Sequence, residues 1–176
     1  FVAVGRGGRR VVSFDGVGWA HDTGGGGLPD GQGDDWFFGV TERPEGGWIA
    51  VGGQQSTVVA FSEDGVEWQV ERDQDSRGSA GVACVPGLCL RDNGGGASAI
   101  FTSDDGRVWA PIALEPRREY RILGVANGWF IAAVNPWRQP GSLYRSRDGV
   151  EWTLLHTAEA QTHWVDMALE GWEPSR

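Results

Sequence analysis

Four aspartates recur in one setting. Asp15, Asp64, Asp105 and Asp148 each lie two residues after a serine, directly before a glycine and four residues before a tryptophan. A carboxylate in a glycine turn has two chemistries open to it: it can ligate a hard cation, or it can accept hydrogen bonds from the N–H groups of its own turn. Calcium takes about six to eight oxygen ligands, and one carboxylate per turn falls short of that. The four aspartates therefore read as structural. Two carboxylates at the right separation would also suit glycoside hydrolysis, but with 24 acidic residues in the chain that condition is too easily met to point anywhere. His21, His156 and His163 are scattered, and no metal or cofactor is implied. Cys84 and Cys89 bracket Val-Pro-Gly-Leu. A Pro-Gly turn would bring them to bridging distance across a hairpin, so they are either a disulfide or two buried thiols. Trp137 and Arg138, in the loop Asn-Pro-Trp-Arg-Gln-Pro-Gly, could stack on a sugar ring or a partner chain. The alternative is a tryptophan folded back on its own sheet.

The elements that hold these residues follow from the repeat. The four frames occupy 13–19, 62–68, 103–109 and 146–152: Ser13-Asp15-Gly16-Trp19, Ser62-Asp64-Gly65-Trp68, Ser103-Asp105-Gly106-Trp109 and Ser146-Asp148-Gly149-Trp152. The serines are 49, 41 and 43 residues apart, a period that suits a propeller blade or a comparable stacked unit. Upstream, FFGV, AGV and LGV recur at similar distances, and GGWIAVGG matches NGWFIAAV and FVAVGRGG. One unit reads as four short strands, with the Asp-Gly turn joining the third to the fourth. The clearest unit predicts strands over 120–126, 129–134, 142–146 and 152–156. No helix is predicted. In each turn the glycine takes a conformation that a Cβ would resist, the serine ties the strand to the turn, and the tryptophan packs as an apolar plate. Trp48, Trp129 and Trp172 follow glycines at one register and read as packing residues.

These frames resemble the Asp-box, or BNR repeat, of sialidase-like β-propellers. The resemblance implies an all-β fold of four-stranded antiparallel blades, with about four repeats over one domain, 1–176. Sialidases use an arginine cluster, a tyrosine nucleophile with a glutamate, and an aspartate acid/base. The likeness is to the repeat and not to that machinery. The Arg-Ile-Pro segment of those enzymes is missing, and only Tyr120, beside Glu119 and Arg121, and Tyr144, beside Arg145, could supply the nucleophile.

The ends of the chain echo each other. FVAVG is a second strand without its first, and HWVDMALEGW at 163–172 resembles a first strand. That leaves a self-closed four-unit ring, part of a larger ring, or a piece of a longer polypeptide; a larger ring is favoured. The net charge of −9 argues against nucleic acid and anionic membranes, and no run of 18 apolar residues exists to span a bilayer. The Gly-rich acidic stretch at 20–35 is a surface loop, which accounts for the longest spacing. The function implied is non-catalytic binding or scaffolding, through a protein partner, further blades or a glycan. A sialidase-like glycoside hydrolase is the alternative. The cysteine pair and acidity suit an extracellular or periplasmic setting.

Overall fold

A computed structural model describes residues 1–23, 36–54, 56–73, 78–94, 99–114, 118–136, 138–160 and 163–167. Its strands form four antiparallel sheets, each an up-and-down meander in chain order. The first sheet has three strands, β1 (Val2–Val4), β2 (Arg10–Ser13) and β3 (Trp19–Ala20). The second holds β4 (Phe37–Glu42), β5 (Trp48–Gly52), β6 (Thr57–Ser62) and β7 (Gln69–Asp73). The third holds β8 (Val82–Val85), β9 (Leu88–Asp92), β10 (Ala99–Ser103) and β11 (Ala110–Ala113). The fourth holds β12 (Tyr120–Ala126), β13 (Trp129–Val134), β14 (Ser142–Ser146) and β15 (Thr153–Thr157). This is an all-β, propeller-like stack of blades, and each Asp-Gly turn joins the last two strands of its sheet. The described residues contain no helix.

Strand alternation decides what each face buries, since successive side chains point to opposite sides. In β5 and β6, Ala50, Val58 and Ala60 face the first sheet, clustering with Val2 and Val4. Ile49, Val51, Val59 and Phe61 face the third, clustering with Val82, Cys84 and Cys89. Leu90 and Ile100 of the third sheet then meet Ile122, Phe130, Ala132 and Tyr144 of the fourth. The core is therefore three apolar layers between sheets rather than one central cluster, which is why the middle sheets read as nearly continuous hydrophobic runs.

Inner strands touch in chain order, β1 to β4, β4 to β8 and β8 to β12. The glycines of Gly39-Val40 and Gly81-Val82 have a steric cause, since each faces backbone of the next sheet's inner segment. A Cβ on Gly81 would lie 1.8 Å from the Ile122 carbonyl oxygen, so only glycine lets β8 approach β12. Among the described strands, no comparable packing joins the first sheet to the fourth. The matching ends do not share a sheet there either. Residues 163–167 lie outside any strand, because Asn135 holds Trp164 through both backbone groups, accepting from its N–H at 3.0 Å and donating to its carbonyl at 2.7 Å. Residues 168–172, with Trp172, fall outside the described part.

Candidate functional site

The motif aspartates close their own turns. In the third frame Asp105 Oδ1 accepts from Arg107 N–H at 2.8 Å, Val108 N–H at 3.1 Å and the Ser103 hydroxyl at 3.0 Å. Ser103 Oγ in turn accepts Gly106 N–H at 2.8 Å. The same bonds recur around Asp15, Asp64 and Asp148. Backbone donors hold the carboxyls of Asp15, Asp64 and Asp105 below the usual carboxylate range. At Asp148 burial pushes the other way, and the N–H donors of Glu151 and Val150 outweigh it. Oδ1 of each aspartate is thus committed to its own turn. Among the described residues, no three His, Cys, Asp or Glu side chains gather at metal-binding range.

The glycine and the tryptophan of each frame belong to the joint with the preceding sheet. Gly16, Gly65, Gly106 and Gly149 all take φ between 76° and 80°. A Cβ on Gly106 would meet Ile49 Cδ1 of the second sheet at 2.1 Å, and one on Gly149 would meet Leu90 Cδ2 of the third at 2.8 Å. Gly65 sits likewise on Val2 of the first sheet, at 3.0 Å. Strand pairing puts Ile49 and Leu90 one step inward from Trp48 and Cys89, the partners of Ser62 and Ser103; Val2 holds the same step after Phe1, whose carbonyl accepts Ser13 N–H. So one aliphatic of β1, of β5 and of β9 is a knob under the next sheet's glycine. Trp68, Trp109 and Trp152 pack in these layers, and each indole N–H donates to its motif glycine carbonyl, at 2.8, 3.1 and 2.9 Å. Among the described sheets none packs against Trp19 as a preceding one does against Trp68. Trp19 makes no such bond and is 47% exposed, against 8% for Trp68.

The other end of the sheets carries the polar inventory. A cleft of about 620 Å³ opens where β12 and β14 begin and β13 and β15 end. Arg118, Glu119, Asn135, Gln139, Ser142 and Tyr144 line it. Arg118 donates to the Tyr144 hydroxyl, with its guanidinium carbon 5.1 Å from the ring centre. Glu119, Tyr120 and Arg121 border a neighbouring cleft of about 190 Å³. Tyr120 is stacked on Trp152 at 4.7 Å and set edge-on to Tyr144 at 5.5 Å. Burial pushes its hydroxyl up, which is the wrong direction for a phenolate nucleophile. Arg145 faces away from Tyr144, over the Trp129 ring at 4.4 Å. Trp137 lies outside the described residues. Arg138, exposed, adopts a φ of 58° beside this cleft.

Cys84 and Cys89 are register partners across the Pro-Gly turn and form a disulfide. Their neighbour Asp92 was not visible as special in the sequence. It is buried, and it accepts from Ala80 N–H at 2.7 Å, the Ser79 hydroxyl at 3.1 Å and Ile122 N–H at 3.1 Å. It clamps the third sheet to β12, although burial pushes its carboxyl up. Arg91 is likewise enclosed, over Phe101 at 3.9 Å, and it donates to Asp73 at 2.7 Å. In sequence the two are adjacent and run straight into Asn-Gly-Gly-Gly, so nothing local marks either as buried.

No family model matches the chain, and no curated protein matches it. Among solved structures it is similar to YCF48 from Cyanidioschyzon merolae, a β-propeller protein, at 17% identity and a TM-score of 0.54 over 69% of this chain. It is also similar to a chain in the crystal structure of a nidogen/laminin complex, at 12% identity and a TM-score of 0.64 over 90% of this chain. The chain spans 37% and 61% of those two chains respectively. At these identities the likeness bears on the fold.

Proposed function

We propose that residues 1–176 form an arc of a larger propeller whose work is recognition rather than catalysis. One observation carries this reading: the motif carboxylates are turned to their own backbone at one end, and a polar cleft opens at the other. Hydroxyl, amide, carboxylate and guanidinium groups in one concave site suit a hydroxyl-rich ligand such as an oligosaccharide. A protein loop of similar polarity is the other class such a face takes. The disulfide is consistent with an extracellular or periplasmic setting. The chain's share of the two similar structures supports further blades in the complete ring. The test is a titration with neutral and sialylated oligosaccharides followed by amide NMR. Shifts at 118–119, 134–144 and 157 support the reading. Shifts confined to the four motif turns contradict it.

A glycoside hydrolase is the second reading, and one observation favours it. Tyr144, Glu119 and Arg118 line the same cleft. Release of a reporter from an aryl sialoside, lost in Tyr144→Phe, would establish it.

A further inference from the structure

We propose that the joint between the second and third sheets holds a binding site for a small monocarboxylic acid with an apolar body, and that Arg91 receives its carboxylate. The repeat marks the position. Two residues on from the partner of each motif serine stand Ala3, Ala50 and Ala132 in the first, second and fourth sheets, and Arg91 in the third. Alanine fills the layer at this register, so packing does not call for a guanidinium there. Arg91 is fully buried, lies over Phe101 and reaches the second sheet, where Nη2 donates to Asp73. Nε and Nη1 have no hydrogen-bond partner among the described residues. Unmade donors on a buried cation are costly and rare in native interiors, and each calls for an acceptor.

Arg91 lies on the floor of a cleft of about 330 Å³ between β7 and the third sheet's motif turn, a volume that suits a small ligand. Val59, Val108 and Trp109 give it apolar walls, and Glu71, Asp73 and Arg107 give it a polar rim. Arg72 also borders it, but strand alternation turns its side chain, with Val58, to the other face of the second sheet. Two guanidinium groups therefore stand against two carboxylates. A single negative charge is accepted at Arg91, whereas a doubly charged phosphate or sulfate meets more repulsion from Glu71 and Asp73. Arg107 closes the way in. Its guanidinium rests over the Phe61 ring at 3.9 Å, donates to Gln69 Oε1 at 3.3 Å and faces Glu63 at 3.8 Å. The contacts to Gln69 and Glu63 are exposed, and exposed pairs of this kind hold a side chain weakly. Arg107 can thus swing off Phe61 and add a second charge-assisted donor to an entering carboxylate.

The experiment is an NMR titration of the full chain with phenylacetate, its neutral isostere phenylacetamide and phenyl phosphate, at constant ionic strength. Phenylacetate should shift the Arg91 Nε–H and the Trp109 indole N–H saturably, as a one-to-one complex. Phenylacetamide should bind roughly tenfold more weakly or worse, since it forfeits a charge-assisted bond. Arg91→Met, which keeps a long apolar stem, should weaken phenylacetate by a similar factor. If Arg91→Met fails to fold, Arg107→Gln takes its place: its side chain is partly exposed, and its loss should lower the affinity severalfold. No saturable shift at Arg91 and Trp109 overturns the proposal, as does equal binding of acid and amide, or wild-type affinity in either variant. Tighter binding of phenyl phosphate overturns the monocarboxylate class. Phenylacetate shifts confined to 118–119 and 134–144 put the acid in the cleft of the fourth sheet, which overturns the Arg91 site and leaves the recognition reading of the preceding subsection standing.

Discussion

Replacing Gly106 with alanine loads two costs onto one methyl group, and the structure separates them. The first is backbone strain at a φ of 76°, about 1–2 kcal/mol for an L-residue held in the left-handed region. The second is the Ile49 Cδ1 atom, 2.1 Å from where the new Cβ must go. Forcing a carbon into a filled layer costs about 1–3 kcal/mol. The sum is roughly 2–5 kcal/mol, and about 2–4 °C per kcal/mol is expected for a chain of this size. Gly16→Ala is the internal control. It has a φ of 77° but meets nothing nearer than the Phe1 ring at 3.5 Å, so it should lose only the strain. Ile49→Val removes the offending methyl and alone costs about 0.5–1.5 kcal/mol. Combined with Gly106→Ala it should cost less than the two single losses together, with a coupling of about 1–3 kcal/mol. Thermal unfolding followed by far-ultraviolet circular dichroism reads all four proteins. Equal losses at Gly16 and Gly106, or strict additivity of the pair, would refute the knob-and-glycine joint.

Other expectations follow from the same geometry. Asp105→Ala removes three accepted bonds, each worth about 0.5–1.5 kcal/mol at most for so exposed a group; it should lower the melting temperature and leave oligosaccharide-induced shifts at 118–144 unchanged. The carboxyls of Asp15, Asp64, Asp105 and Asp148 are depressed in the fold. Their contribution is therefore present above the ordinary carboxylate value of 3.8 and lost as pH falls through the lower folded values. An acid titration of wild type and Asp105→Ala should converge below that range and diverge above it. Reducing the Cys84–Cys89 bridge frees a very short loop, so a reductant should cost about 2 kcal/mol, read as a fall in the urea midpoint. Asp92→Ala strands the Ala80 and Ile122 N–H groups in the interior, and each orphaned donor costs about 1–3 kcal/mol. Asp92→Ala should thus destabilise more than Asp105→Ala in the same denaturant assay.

Much of this architecture was legible because a repeat samples one structural problem several times. The strands of the fourth sheet fall within a residue of those expected from its turn residues, and the serine, aspartate and glycine of each frame make the bonds their types imply. Packing across sheets was not legible. Nothing local marks Ile49 as the atom under Gly106, since the two are far apart in sequence and meet only when the sheets stack. That the motif tryptophans pack is legible from their type and register, but that they pack against the preceding sheet appears only in three dimensions. The cleft is legible only in pieces: Glu119, Tyr144 and the loop from Asn135 stand out by type, but they come from four strand ends that only the fold brings together. The echo between the chain ends was real as a pattern, yet the Asn135 amide bonds Trp164 in place of a sheet partner.

The most direct test of this account is oxidative footprinting of dilute, monomeric protein by hydroxyl radicals, with the modification rate of each motif tryptophan resolved by mass spectrometry. If the motif tryptophan is covered by the preceding blade, Trp19 must oxidise well ahead of Trp68, with Trp109 and Trp152 between them. Four similar rates would contradict the picture of three joints, each with its tryptophan covered by the preceding sheet.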